Sequence, residues 1–383
     1  LINGSRIFWQ KELEDAFEDK SISEKEEYFA KNHFNIAGSN LSDDEIRLQK
    51  MHLINKIFCF GYLLHKNKME SKPWGVYIMD DKVVDDDESH GGTGKSLYSK
   101  ALFVFLRERL IGARTGNIFE DKHVYDGVTK ETDYILFDDA NKRFKIDALY
   151  TALTGPLNVN PKNNKPYTIR FSDSPKMAIS SNYSIRNTDP STMRRFLFVA
   201  FSDWYHKGGN EEYKTSREPK DDFNHDFFKE WSPEQWNLFF NFSAQCLKFY
   251  LSCSEPIQAP MENIQKRNLL TEMGRSFQDW ADRYFEIPYD EPGTQFGQLL
   301  QKDILHEDCL KNSPILKGIS SNAFKKKLKA WCKYNDHIFN PEEFPGLSYT
   351  YQKDGRIMKK DGAVTKEYIL IRCVEDVCQE LHF

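Results

Sequence analysis

No Cys-x-x-Cys pair occurs among the seven cysteines, and no histidine lies between the two nearest ones, Cys373 and Cys378. That spacing argues against a zinc site. Scattered thiols, odd in number, instead fit a reducing, cytoplasmic compartment. The chain also lacks any run of about 18 apolar residues, so no membrane-spanning helix is expected. No secretory leader is expected ahead of the fold. The first residue is Leu1 rather than Met, which suggests a fragment and leaves room for a missing N-terminal domain. There is no overall excess of positive charge: 53 Lys and Arg against 58 Asp and Glu give −5. Any affinity for nucleic acid must therefore come from local patches. Internal repeats are absent, which sets aside solenoid architectures.

What is present is a chain of 383 residues, 39% hydrophobic and 29% charged, long enough for two or three globular domains. Residues 1–68 read as a helical N-terminal domain, a collar or oligomerisation element. Ser42-Asp43-Asp44-Glu45 is a capping box, in which the Ser42 hydroxyl accepts from the Glu45 amide while the Glu45 side chain reaches back. The helix it opens carries Ile46, Leu53, Ile54, Ile57 and Phe58 in one apolar stripe. Residues 69–255 alternate apolar strands with helices, the sign of a parallel sheet with crossovers. The strands are Gly75–Met79, Tyr134–Phe137, Lys176–Ser180 and Phe196–Phe201, and a helix is expected over Leu97–Leu110. His206–His225 reads as an exposed polar loop, and Ser232-Pro233-Glu234-Gln235 caps another helix. Residues 256–383 form a third region, with a helix over Asn268–Tyr284 and later a hairpin. Its strands are Leu347–Tyr351 and Glu367–Ile371, joined by the basic segment Lys353–Lys366.

The sharpest signal is Gly91-Gly92-Thr93-Gly94-Lys95-Ser96. A phosphate cradle needs small residues whose amides can turn toward one anion where a helix begins. Gly91, Gly92 and Gly94 supply that freedom, with Thr93 between them. Lys95 adds a charge for the β- and γ-phosphates, and the Ser96 hydroxyl can ligate Mg²⁺. Six residues before the lysine stands Ser89, where such loops carry glycine. The stretch Asp80–His90 is long and acidic, so it is expected to point into solvent. The second half of the site is Tyr134-Ile-Leu-Phe137, a buried-strand run ending in Asp138-Asp139. Carboxylates at the C-terminal edge of a parallel strand face the ligand crevice. Asp138 is expected to hold Mg²⁺ through water and Asp139 to polarise the attacking water. Together they predict an α/β fold of the P-loop NTPase type that binds ATP or GTP with Mg²⁺.

Two further features follow at suggestive distances. Lys176-Met-Ala-Ile-Ser-Ser-Asn182 is a strand tipped by an amide suited to touching a γ-phosphate. Asp189-Pro-Ser-Thr-Met-Arg194-Arg195-Phe leads into the next strand, where paired arginines can neutralise charge at a neighbour's nucleotide. This order, packed between Gly91 and Phe196, resembles the superfamily 3 helicases. Within them it most resembles the poxvirus- and phage-type primase-helicase group, including relatives on bacterial mobile elements. The resemblance covers roughly residues 70–250. It implies a RecA/AAA+-like sheet that binds ATP, assembled into a ring, commonly a hexamer, with nucleotide between subunits. Asn182 is then the sensor, and Arg194 or Arg195 the finger acting in trans. It implies a cell setting of a bacterium or an infected host, and 3′ to 5′ movement on single strands. A primase domain or protein is a further candidate partner.

The same family carries a DNA-gripping hairpin between the acidic and sensor strands. Here Leu157–Pro161, Lys162–Lys165 and Pro166–Arg170 read as strand, turn and strand. Lys162 and Lys165 at its tip could track phosphates of single-stranded DNA, while Asn163 and Asn164 are equally explained by a turn needing φ > 0. Further on, Lys311–Arg372 holds thirteen Lys and Arg against six Asp and Glu. Ser320 caps a helix whose Phe324, Leu328 and Trp331 oppose Lys325, Lys326, Lys327, Lys329 and Lys333. A basic helix followed by a hairpin resembles a winged-helix domain, expected to dock on duplex or forked DNA. The leading expectation is an ATP-driven replicative DNA helicase of a virus, phage or mobile element. An AAA+-type initiator or loader that remodels DNA or protein without processive unwinding is the alternative. A nucleotide-controlled binding module with little turnover is a third reading, disfavoured by the paired acids and arginines.

Overall fold

The computed structural model describes residues 42–81, 92–115, 117–141, 143–183, 190–208, 215–260 and 272–373, with isolated positions at 21–27 and 266–270. Gly91, Ser89 and most of residues 1–41 lie outside the described residues. The chain divides into two compact units: Leu1–Val83 with Ser89–Ile264, and Val84–Glu88 with Gln265–Phe383.

The strands of the first unit are β1 (Gly75–Asp80), β2 (Glu108–Gly112), β3 (Tyr134–Ala140), β4 (Leu157–Val159), β5 (Tyr167–Ile169), β6 (Lys176–Ser181) and β7 (Phe196–Phe201). Five of them form one parallel sheet in the order β2-β3-β6-β1-β7. From β1 the chain first travels to the β2 edge, returns through β3 and β6, and ends beyond β1 at β7. Strand β1 is therefore the topological switch point, where open α/β sheets form their ligand crevice. Such a sheet fits a P-loop NTPase core. Side chains alternate between two apolar clusters: Val76, Ile78, Leu136, Ala178 and Val199 enter one, and Tyr77, Met79, Phe137, Ile179 and Phe198 the other. Burial on both faces is why these strands read as nearly continuous apolar runs.

Helix α1 (Asp43–Leu63) begins at the expected capping box, with Ser42 accepting from the Glu45 amide and Glu45 accepting from the Ser42 amide. The remaining helices of this unit are α2 (Lys95–Lys100), α3 (Tyr150–Thr154), α4 (Pro190–Arg195), α5 (Pro219–Phe223) and α6 (Pro233–Ser252), the last also opened by its expected cap. Helices α1 and α6 meet at Gly61, where a Cβ would stand 2.1 Å from the Cys246 carbonyl oxygen. Phe58, Tyr62, Trp74 and Tyr250 lock this contact with ring-on-ring packing. Within the described residues, α1 thus shares the core beneath the sheet.

The expected helix over Leu97–Leu110 is not found as such. The helix leaving the phosphate loop ends at Lys100 and a 3-10 turn over Ala101–Val104, and Glu108–Gly112 is the edge strand β2 paired with β3. Glu-Arg-Leu-Ile carries ample helix propensity. Parallel pairing to one partner, with its exposed and half-buried residues alternating, outweighs that local preference.

The second unit contains α7 (Arg275–Tyr284), β8 (Leu300–Gln301), α8 (Lys302–Asn312), α9 (Ser321–Tyr334), β9 (Ile338–Phe339), β10 (Thr350–Tyr351), β11 (Ile357–Asp361), β12 (Val364–Ile369) and β13 (Ile371–Arg372). Gly274, with φ 73°, interrupts the expected helix over Asn268–Tyr284: Leu269, Leu270, Glu272 and Met273 are helical before it, and α7 starts at Arg275 after it. Phe277, Trp280, Phe324, Leu328, Trp331 and Ile369 form its core. The indole N–H groups of Trp280 and Trp331 donate to Asp308 (2.9 Å) and Asp282 (2.7 Å). The sheet order β10-β11-β12-β8 is antiparallel. The expected pairing of Leu347–Tyr351 with Glu367–Ile371 is therefore corrected: β11 lies between them, and the basic segment is mostly strand rather than loop. After the helices of this unit comes the strand pair β11–β12, whose second member returns to β8.

Candidate functional site

The site is built at the C-terminal edge of the parallel sheet. Gly92 (φ 109°) and Gly94 (φ 93°) hold the left-handed backbone of the phosphate loop, a conformation that glycine adopts without a Cβ penalty. Gly94 directly precedes α2, whose first two residues are Lys95 and Ser96. Lys95 is buried and Ser96 exposed. The Lys95 ammonium donates to Asp80 Oδ1 and lies 3.0 Å from Thr93 Oγ1, which itself donates to Asp80 at 2.6 Å. Asp80 heads the acidic stretch expected to face solvent. It is instead the last residue of β1, with only 10% of its side chain exposed. Burial pushes its carboxyl up, against the lowering effect of Lys95 and Thr93, and Asp203 adds to the rise. Residues 82–90 of that stretch lie outside the described residues.

The acidic half projects from the end of β3. The β3–β6 register shifts between Phe137 and Ala140, a bulge that places Asp138 and Asp139 where the ladder is broken. Asp139 has φ 58°, an uncommon backbone for a non-glycine residue and a frequent mark of functional sites. Ser180 ties the two acids together: its hydroxyl donates to Asp138 Oδ1 at 2.7 Å and accepts from the Asp139 amide at 3.1 Å. Lys100, in the last turn of α2, lies 2.8 Å from Asp138 Oδ2, so the phosphate-loop helix is bonded to the acid strand. Asp139 has 47% of its side chain exposed and lies 3.4 Å from Arg114. Sequence reading overlooked Lys100 and Ser180. Lys100 sits five residues past Lys95, and Ser180 two before Asn182, so both were in view but carried no motif of their own. Asn182 follows β6 at the same edge, half-buried, and is joined to its neighbours by Ser181, whose hydroxyl donates to the Ala140 carbonyl at 2.8 Å.

Arg194 and Arg195 lie elsewhere. They end α4 at the start of β7, where Phe196 pairs with Gly75 at the opposite end of β1 from Asp80. A strand of that length spans roughly 17 Å, so neither reaches the phosphate loop of its own chain. The two also differ. Arg195 is tied down, with its guanidinium 4.8 Å from the Tyr150 ring centroid and donating to Ser191 O (3.0 Å) and Oγ (2.6 Å). Arg194 is exposed.

No family profile matches this sequence, and no curated protein matches it. Among solved structures, it is similar to the apo A form of the C-terminal region of NrS-1, at TM-score 0.39 and 13% identity. That match covers 92% of this chain and 76% of the other. A second structure of that region gives 0.37 and 14% over the same shares. JCV helicase, bound to a thiazolopyridine acetamide, gives TM-score 0.27 and 13% identity over 84% of this chain and 75% of that one. The functional reading rests on the geometry of the site itself.

The expected hairpin is present as β4 and β5, paired from Leu157–Ile169 to Val159–Tyr167. Lys162 and Lys165 are exposed at its tip, and Asn163 there takes φ 60°. The Lys162 amide donates to Asp126 at 3.1 Å, fixing the tip to the chain before β3.

In the second unit the predicted lysines separate. Lys325 shares Glu367 with Lys302, each at 2.5 Å and each about 15% exposed. Burial works to raise the Glu367 carboxyl, yet these two ammonium groups hold it below its usual range. Lys327 donates to the Met273 carbonyl at 2.7 Å. These two lysines serve the packing of their own unit. Lys326, Lys329 and Lys333 are exposed along one face of α9, although Lys326 also lies 3.2 Å from Glu272 and Lys329 5.3 Å from the Phe339 ring centroid. Side-chain direction, invisible in the run Lys-Lys-Lys-Leu-Lys, makes the division.

Proposed function

We propose that this protein is an ATP-driven DNA helicase of superfamily 3 type, working as a ring on single-stranded DNA during replication of a virus, phage or mobile element. One observation carries the proposal. A glycine-built loop leads through Lys95 into a helix that Lys100 bonds to Asp138, and Ser180 ties Asp138 to Asp139 on the bulged acid strand, at the switch point of a parallel sheet. That arrangement suits phosphoryl transfer, in which positioning and charge neutralisation supply most of the catalysis. Lys95 balances the β- and γ-phosphates. Asp139 orients and polarises the attacking water, and Asn182 adds an amide at the terminal phosphate. The Ser96 hydroxyl and the Asp138 carboxylate are hard oxygen donors that fit Mg²⁺, which when bound supplies neutralisation of phosphate charge.

Arg194 is the arginine that serves a neighbouring subunit in this proposal, because Arg195 is held by Ser191 and Tyr150 while Arg194 is exposed. The hairpin tip, with Lys162 and Lys165, contacts the single strand through its phosphates, and α9 of the second unit presents Lys326, Lys329 and Lys333 to duplex DNA. The test is ATP hydrolysis with and without single-stranded DNA, alongside unwinding of a forked duplex. Stimulated hydrolysis that Lys95→Ala and Asp139→Asn each reduce at least a hundredfold supports the reading. DNA-insensitive hydrolysis without unwinding would favour an initiator or loader. Arg194→Ala should remove hydrolysis in the assembled protein and leave nucleotide binding, whereas Arg195→Ala should chiefly lower the melting temperature.

A further inference from the structure

We propose that Lys207 is a second phosphate-contacting lysine of the nucleotide site, supplied by the same chain from the excursion that follows β7. The inference rests on the nucleotide reading above and extends it to a segment read from sequence as an exposed polar loop. After β7 the chain runs through Ser202–Asp203–Trp204–Tyr205 into His206, which forms a two-hydrogen-bond antiparallel bridge with Arg217 (3.0 and 2.9 Å). This rung passes directly over the phosphate loop. A Cβ built on Gly92 would meet Lys207 Cγ at 3.5 Å and the Lys207 amide nitrogen at 3.6 Å. Lys207 is exposed, with no hydrogen bond or ion pair among the described residues. Lys95, by contrast, is already engaged by Asp80 and Thr93. A lysine whose Cγ lies beside Gly92 is therefore an uncommitted cation with its ammonium within side-chain reach of a polyphosphate seated on the loop amides.

The placement is fixed rather than incidental. Arg217 is held by Asp222 (3.2 Å), whose side chain is fully buried, and stacks on Trp204 at 3.6 Å from its ring centroid. The Trp204 indole N–H donates to the other Asp222 oxygen at 3.2 Å. Gly208 continues the rung by donating to Ser216 Oγ at 2.8 Å, and a Cβ at Gly208 would stand 2.2 Å from the Thr215 carbonyl carbon. Only glycine lets the two arms close so tightly. The buried ion pair and indole thus set the position of Lys207 against Gly92, and Asp203 on the same segment faces Asp80.

The experiment measures binding of fluorescent ATP, ADP and adenosine analogues to the full chain carrying Lys207→Ala, Lys207→Arg or Lys95→Ala. A charge-assisted contact of this kind is worth roughly a tenfold change in affinity or more. Lys207→Ala should weaken ATP and ADP binding about tenfold, leave adenosine binding and the melting temperature unchanged, and be restored largely by Lys207→Arg. ATP binding at parental affinity in Lys207→Ala, with Lys95→Ala impaired, would overturn the role of Lys207 alone. Parental binding in Lys95→Ala would instead overturn the nucleotide reading beneath it. A loss of ATP binding that Lys207→Arg does not restore, accompanied by a lowered melting temperature, would assign Lys207 to folding and also overturn the proposal.

Discussion

Lys176 gives the sharpest stability test. It begins β6 with 1% exposure, and its amine donates to the Tyr62 carbonyl, contacts His65 Nε2 at 3.2 Å and sits 3.9 Å from the Tyr62 ring centroid. It makes no ion pair among the described residues. Burial, helped by nearby Lys68, lowers its pKa from 10.5 to about 6. Burial first and Lys176 second lower His65 to about 4, and burial lowers Lys68 to about 8. Between pH 6 and 10.5 the unfolded chain keeps a proton on Lys176 that the folded chain releases, so stability rises with pH. This contribution is complete above the unfolded pKa and lost as pH falls to about 6. One proton corresponds to ~1.4 kcal/mol per pH unit. Lys176→Met keeps the bulk and removes the amine, so from pH 7 to pH 9 the parent should gain about 2.7 kcal/mol relative to the variant. Urea unfolding followed by circular dichroism at the two pH values measures this double difference, in which pH-independent losses of hydrogen bonding cancel. Parallel pH profiles for parent and variant would refute the reasoning, because they would mean that Lys176 stays charged in the folded chain.

Two further outcomes follow from packing and surface charge. Gly61→Ala, which in an isolated helix would gain about 1 kcal/mol, should here cost roughly 1–3 kcal/mol in thermal melts, because its Cβ meets the Cys246 carbonyl. Replacing Lys326, Lys329 and Lys333 together by Glu should weaken duplex DNA binding and flatten its dependence on salt by up to about three contacts in filter or anisotropy titrations. Lys325→Ala should instead lower the melting temperature, since it leaves Glu367 with one cation fewer.

The parts legible from sequence are those whose signals are local. The phosphate loop is a contiguous glycine-and-lysine string, Ser42 and Ser232 cap their helices within three residues, and strands buried on both faces announce themselves as apolar runs. The sequence by itself therefore determined the α/β class, the strands around β1, and the positions of Lys95, Asp138, Asp139 and the Lys162–Lys165 turn. It could not separate partners whose meaning depends on distance through space. Strand β2 exists because β3 offers it hydrogen bonds, which outweighs its helix-forming composition. Asp80 belongs to an acidic run in sequence, yet the end of β1 turns it onto Lys95. Lys325 and Lys326 are adjacent letters, but one helical step sends the first to Glu367 and the second outward. Arg194 and Arg195 likewise diverge, one exposed and one held on Tyr150. The tertiary structure alone decided these cases, because only it brings residues far apart in the chain close enough to form a shared salt bridge or hydrogen bond.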